Sequence, residues 1–263
     1  MNILFLGDIV SRLGRQAVKE FLPQLRKEHN IDIVIANCEN VTNGRGIKLE
    51  HYNDLISYGI NGFTTGEHIY RDTEILKKID ELDIAVPLNF YSENPGKREL
   101  TINTGKNGEI KIVSLLGMTF MSELVKNPFH AIDSYLNNTL EKNNKAITLV
   151  DFHAEATSEK IAMANFIKDR ATVLVGTHTH IQTADEQIFD RKMAYITDVG
   201  MCGSKNSVIG VKTDIILNRF NKGINTPFEW EKEGEYQVNA VMISIDTKNQ
   251  IAKNINRISL STW

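Results

Sequence analysis

The chain has 263 residues, with 30 Lys+Arg against 33 Asp+Glu for a formal net charge of −3, and it is 41% hydrophobic and 24% charged. Values so close to the globular average exclude disordered, collagenous and coiled-coil chains. Near-neutrality argues against a protein whose main business is coating nucleic acid or an anionic membrane, but leaves room for a small phosphate ligand held locally.

The N-terminus, Met1-Asn2-Ile3-Leu4-Phe5-Leu6-Gly7-Asp8, has no basic n-region and its apolar run stops at Gly7. It does not read as a signal peptide. No stretch approaches the roughly 20 apolar residues of a membrane helix. The expectation is a soluble cytoplasmic protein with no membrane partner. Cys38 and Cys202 are too few for a disulfide framework and read as free thiols.

The run Ile3–Leu6 predicts a first buried strand. A helical pattern follows, with Leu13, Val18, Phe21, Leu22 and Leu25 on one face and Ser11 as its N-cap; Pro23 should kink or end it. Further short apolar runs at Ile33–Ala36, Ile84–Val86, Ile112–Leu116, Ile147–Val150, Val173–Val175 and Ala194–Ile196 predict strands. Helical patterns lie near 48–58, 70–80, 130–142 and 157–168. Two antiparallel pairs interrupt the alternation. Leu100–Thr104 and Glu109–Leu115 flank the turn Gly105-Lys106-Asn107-Gly108, and Val238–Asp246 returns as Ile251–Leu260. The prediction is an α/β fold, a sandwich of mixed β-sheets, in a single domain spanning 1–263.

Residues able to hold a metal recur just after these strands. Asp8 follows the first and Glu39-Asn40 the second; Glu67-His68 follow Gly62–Gly66; His153 follows the fifth run, and His178 and His180 the sixth. The carboxyl ends of strands in an α/β sheet share one edge, so five loops would deliver these groups to one rim. Taken singly, each has an ordinary reading as a cap, a turn or a hydrogen-bonded loop residue. Together they suggest Zn, Mn or Fe, because the donors are oxygen and nitrogen without thiolate. Seven donors exceed the needs of one ion and suit two, of the kind that clamp a phosphoryl group. No dinucleotide fingerprint, P-loop or GxSxG elbow is present.

At these residues the chain resembles the YmdB-like branch of the calcineurin-like metallophosphoesterases, essentially end to end. The stretches that carry the resemblance are Ile3–Asp8, Glu39-Asn40, Gly66-x-His68, Asp151–Lys160, Gly176–His180 with Gln182–Asp185, and Thr197–Met201. It implies a metallophosphoesterase-type sandwich of two mixed β-sheets flanked by helices. It also implies a two-metal phosphodiesterase, with cyclic nucleotides (2',3' or 3',5') as substrate class and Fe or Mn, with Zn as a third option, as the ions. Carried over by position, Asp8, Glu39, Asn40 and His180 look like ligands of a first metal, with Glu39 bridging. Glu67, His153 and His178 look like ligands of a second. A metal-bridging hydroxide would attack phosphorus, and His68 would be the general acid.

The chain departs from the family pattern in two places. Glu67 stands where the pattern has Asn, and the acid expected three residues after His68 is replaced by Arg71, followed by Asp72. Alternatives are therefore a phosphomonoesterase or nucleotidase on the same fold, or a regulatory nucleotide- or RNA-binding protein weakened by Glu67. RNA is not favoured by the charge, and a homo-oligomer is left open.

Overall fold

The computed structural model describes residues 1–141 and 146–262. In chain order its strands and helices are β1 (Asn2–Leu6), β2 (Asp8–Ile9), α1 (Ser11–His29), β3 (Ile33–Asn37), α2 (Leu49–Ser57), β4 (Gly62–Thr64), α3 (Thr73–Leu76), β5 (Ile84–Ala85), β6 (Leu100–Asn103), β7 (Glu109–Leu116), α4 (Pro128–Glu141), β8 (Ile147–His153), α5 (Thr157–Ile167), β9 (Val173–Thr177), β10 (Gln187–Phe189), β11 (Met193–Ile196), β12 (Met201–Ser204), α6 (Thr213–Lys222), β13 (Tyr236–Asp246) and β14 (Ile251–Ser261). They form two mixed sheets. One is ordered β2-β12-β13-β1-β3-β4-β5, with β14 on β13; the other is β10-β11-β9-β8-β7-β6.

Alternation of side chains sorts each strand between two apolar layers. Ile3, Phe5, Ile33 and Ile35 of the first sheet share one cluster with Ile112, Ile147, Leu149, Val173 and Val175 of the second. Leu4, Leu6, Val34 and Ala36 point the other way, onto Leu13, Val18, Leu22 and Leu25 of α1 and Leu55 of α2. On the far side, Val113, Val150, Phe152 and Leu174 pack against Ile132 and Leu136 of α4 and Met163 and Ile167 of α5. Each fully buried Leu, Ile, Val or Phe contributes about 1.5–3 kcal/mol. Helix, sheet, sheet, helix is the resulting stack.

The predicted strands and both antiparallel pairs are present, several of them longer than expected. β8 runs on to His153 and β9 to Thr177. The last residue of the predicted helix 130–142 lies outside the described residues.

Three local expectations are corrected. Ser11 does not cap α1 by its side chain; its Oγ donates to Asn43 Oδ1 at 2.8 Å and its N–H to Asn40 O at 3.0 Å, tying the helix start to the loop after β3. Pro23 does not end α1, which continues to His29, because its ring faces solvent and only one backbone bond is forfeited. The pattern at 70–80 is not one helix. It is a 3₁₀ turn at Ile69–Arg71 and the one-turn α3, restarted by Asp72, whose carboxylate accepts from Glu74 N and Ile75 N. Cys38 and Cys202 are free and buried, as expected. Among the described residues no helix is long and apolar enough to cross a membrane.

Candidate metal centre

β1, β3 and β4 run parallel in the first sheet and β8 and β9 run parallel in the second. Their carboxyl ends meet at one rim, and every site residue predicted from the sequence lies there. Asp8 opens β2, two residues past the end of β1. Glu39 and Asn40 follow β3, Glu67 and His68 follow β4, His153 ends β8, and His178 and His180 follow β9.

The side chains converge in two overlapping groups. In the first, one ligand atom from each of Glu39, Glu67, His153 and His178 lies within 4.8 Å of all the others. His153 Nε2 is 3.2 Å from Glu39 Oε1, 3.1 Å from Glu67 Oε2 and 3.0 Å from His178 Nδ1. In the second, Asn40 Nδ2 is 3.2 Å from each of Asp8 Oδ1, Glu39 Oε1 and His180 Nε2, and His180 Nε2 is 3.6 Å from Asp8 Oδ1. Glu39 belongs to both. Asn40 turns its carbonyl oxygen to His68 Nδ1 at 3.0 Å. Because an amide holds a metal through oxygen, Asn40 would serve as a ligand only with its carboxamide turned over.

Three carboxylates and four imidazoles share this small volume, and their charges act on one another. Burial opposes the charge on Asp8, but His180 prevails and holds the carboxyl well below its usual range. Glu67 is likewise held low, against its burial, by His153, His178 and His68. Burial also works against His153, yet Glu39 and Glu67 hold its imidazole well above its ordinary value. His178 goes the other way. Burial first, and then the charge on His153, push it down to about 4.

The donor set fits divalent metal ions. Asp8, Glu39 and Glu67 are at most 7% exposed, so their negative charge is out of reach of water. Glu67 Oε2 is buried and lacks a partner in hydrogen-bond geometry. A buried acceptor left in that condition is costly unless a cation meets it. The backbone makes room for this crowding. A Cβ at position 66 would stand 2.1 Å from Glu39 Oε2 and 2.3 Å from His153 Cδ2, so only glycine fits. His178 and His180 adopt φ of 102° and 65°, and this double left-handed turn aims both rings at the cluster although they are only two residues apart.

Glu67 stays in the cluster and turns toward His153. It is neither swung out to solvent nor paired with Arg71. Asp72 is occupied in capping α3 and does not orient His68. The His68 ring is 19% exposed; its Nδ1 is 3.2 Å from Glu39 Oε1 and its Nε2 is 3.6 Å from Glu67 Oε1.

Four supporting residues were not singled out in the sequence. Asp151, Thr177 and Asn37 stand behind His153, and Glu155 Oε2 is 3.3 Å from His178 Nε2. Asp151 is fully buried, and desolvation pushes its carboxyl up to about 6. The signal available for it was a lone acid inside an otherwise apolar strand, two residues from a histidine. A cavity of about 670 Å³ lined by Arg12, Arg15, Lys19, Asp54 and Tyr58 lies between α1 and α2 and contains none of the rim residues.

The family model described as YmdB-like protein matches residues 4–258. The chain is 36% identical over 262 residues to the 2',3'-cyclic-nucleotide 2'-phosphodiesterase of Bacillus subtilis, a match covering 99% of this chain and 97% of that protein. A crystal structure described as a novel phosphatase from Mycoplasma pneumoniae superposes with a TM-score of 0.93 at 34% identity, covering 99% of this chain and 93% of that one. A hypothetical protein from Thermus thermophilus superposes with a TM-score of 0.90 at 32% identity, covering 99% of both chains.

Proposed function

The chain belongs to the YmdB-like family, and on that premise we propose that it is a two-metal phosphodiesterase that opens cyclic nucleotides, 2',3' or 3',5'. Phosphodiesterase activity follows from the end-to-end relationship, as does the metallophosphoesterase type of fold. The cyclic substrate, the metal pair and the roles of individual residues are the proposal.

The observation that carries it is the group formed by Glu39, Glu67, His153 and His178, whose ligand atoms lie within 4.8 Å of one another. Glu67, His153 and His178 would hold one ion. Asp8, His180 and Asn40 would hold the other, with Glu39 shared. Mixed carboxylate and imidazole donors suit Mn or Fe, and Zn also. Such ions, when bound, supply positive charge against the phosphate oxygens and acidify the attacking water.

The protein's own groups do the rest. His68 Nδ1 is 3.2 Å from Glu39 Oε1, a contact that does not depend on Asn40 and remains when Asn40 turns its oxygen from His68 to the ion, so Nε2 is the nitrogen left to carry a proton to the leaving alkoxide. The partly exposed ring gives that proton a route back from solvent. Protonation of the leaving oxygen matters most for an alkyl alcohol such as a ribose hydroxyl, which is a poor leaving group as an anion.

The test is turnover of 2',3'- and 3',5'-cyclic AMP by chelated protein and by protein reloaded with Mn²⁺ or Fe²⁺, beside a nucleoside monophosphate. Hydrolysis of the cyclic diester only after reloading, at a rate well above that of the monoester, supports the reading. Equal rates in chelator and in metal overturn the two-metal assignment, and a faster monoester reaction makes the enzyme a nucleotidase.

A further inference from the structure

Asp151 and His153 are two apart on β8 and share a face, which turns both toward the seam between the sheets. The Asp151 carboxylate is completely buried. Its partners are three neutral groups from three other strands. Thr177 Oγ1 donates to Oδ1 at 2.7 Å, while Thr64 Oγ1 donates to Oδ2 at 2.5 Å and Asn37 Nδ2 to Oδ2 at 3.1 Å. Among the described residues no Lys or Arg pairs with it. Thr177 Oγ1 is also 2.8 Å from His153 Nδ1.

We infer that Asp151 is a positioning residue for the metal site built on His153, and that it acts through Thr177 by fixing which imidazole nitrogen carries the proton. A hydroxyl has a single proton. Thr177 directs that proton to Asp151, so toward His153 it can only accept. His153 Nδ1, held at 2.8 Å by Thr177 against a longer 3.4 Å approach of Asn37 Nδ2, is therefore the nitrogen that keeps its proton, and Nε2, which faces Glu39 and Glu67, is the one that gives its proton up to a metal, leaving the Nδ1–H form. That is the tautomer that ligates a metal in this direction.

The surroundings make the direction hard to reverse. Asn37 cannot turn its amide over, because its Oδ1 accepts the Glu39 N–H at 3.1 Å. Its Nδ2 therefore always demands an acceptor at the Asp151 Oδ2 position. In Asp151→Asn the new carboxamide would have to place its oxygen there and turn its NH₂ to Thr177. Thr177 would then accept from that NH₂ and donate to His153 Nδ1, moving the imidazole proton to Nε2, where it blocks the metal. A near-isosteric change is thus expected to do more harm than deleting the relay.

The inference rests on the two-metal reading, and the experiment separates the two. Zn²⁺ is titrated calorimetrically into chelator-stripped wild type, Asp151→Asn, Thr177→Val and Thr177→Ser, and ¹⁵N shifts of the imidazoles are recorded on the stripped proteins at a pH high enough to make His153 neutral. The expected order of affinity for the second equivalent is wild type equal to Thr177→Ser, then Thr177→Val, then Asp151→Asn. The last should be weaker than wild type by about 10–100-fold, with the first equivalent unchanged and the His153 proton found on Nε2. Thermal melts of the stripped proteins give the loss due to folding alone, which does not predict that Asp151→Asn is worse than Thr177→Val. Wild type that takes up fewer than two ions overturns the two-metal reading. Wild type that takes up two, with Asp151→Asn binding both equally well or keeping its proton on Nδ1, overturns this inference.

Discussion

Lys160 Nζ meets Asp198 Oδ2 at 2.8 Å, with both side chains only 1% exposed, beneath the turn that carries His178 and His180. The pair grips that turn from both sides. The ammonium donates to Thr177 O at 2.8 Å, and the carboxylate accepts Thr179 N at 3.0 Å and Gly200 N at 2.8 Å. The residues held are those beside the two histidines whose left-handed backbone costs on the order of 1–3 kcal/mol each. Removing the cation leaves a buried charge uncompensated, at about 3–5 kcal/mol. Lys160→Met should therefore lower the Tm by about 10 °C and weaken metal binding through His178 and His180, as read by thermal denaturation with and without metal. A variant with unchanged Tm would show that the turn is held by other means.

How much of this was legible in the sequence follows from what each residue does. The rim could be read because its strands are short apolar runs and its chemistry stands immediately after them, where a His or Glu has no core to fill. The grip beneath it could not. Lys160 lies on a helix and would ordinarily reach solvent, and Asp198 looks like a turn residue; nothing local says that they meet 38 positions apart. Asp151 was obscure for a related reason. Its partners Asn37, Thr64 and Thr177 come from three strands in two sheets, so its role depends on pairing and not on neighbours in sequence. Ser11 shows the same limit at short range. The rule for helix starts anticipates a cap, but the loop after β3 offers Asn43 as a better partner.

Metal binding should release protons. Glu39 and Glu67 hold His153 well above its ordinary value, and Asp8, against the burial of the ring, raises His180. Each must lose a proton to become a ligand. His178, pushed down to about 4, is already neutral at pH 7 and releases none. Raising the pH toward the elevated His153 and His180 values removes the competing proton, so affinity should climb by about one logarithmic unit per pH unit for each proton displaced, and then level off. Zn²⁺ titrations in buffers of different ionisation enthalpy should report about one proton per ion at pH 7. A heat independent of buffer would contradict the ion pairs of the cluster.

His68→Ala should lower kcat about 10²–10⁴-fold if Nε2 supplies the proton to the leaving group. Metal content should barely change, because His68 leans on Asn40 and Glu39 and is not one of the four groups that crowd together. A nitrophenyl diester, whose leaving group needs no proton, should lose much less than a cyclic nucleotide. Equal losses on both substrates, or loss of a metal equivalent, would make His68 a prop for Glu39 and Asn40 and not an acid.

Glu67 has its carboxylate in the cluster, 3.1 Å from His153 and only 7% exposed. A carboxylate there adds one full negative charge to a site already containing Glu39. At an effective dielectric near 20, unit charges about 4 Å apart interact by about 4 kcal/mol, enough to affect both metal affinity and rate. The added charge should hold a divalent ion more firmly, but it also offsets the ion's pull on the attacking water and repels the incoming phosphodiester. Glu67→Asn is accordingly expected to weaken the second metal while raising kcat/KM at saturating metal by about tenfold, equivalent to roughly 1.4 kcal/mol of barrier. Because the carboxylate already faces His153 and His178, stoichiometry should stay the same and only affinity should fall. Metal titration and steady-state kinetics on the two proteins decide the matter. A Glu67→Asn protein that is no faster at saturating metal would mean that the site is tuned to the carboxylate, with the remaining residues compensating for its charge.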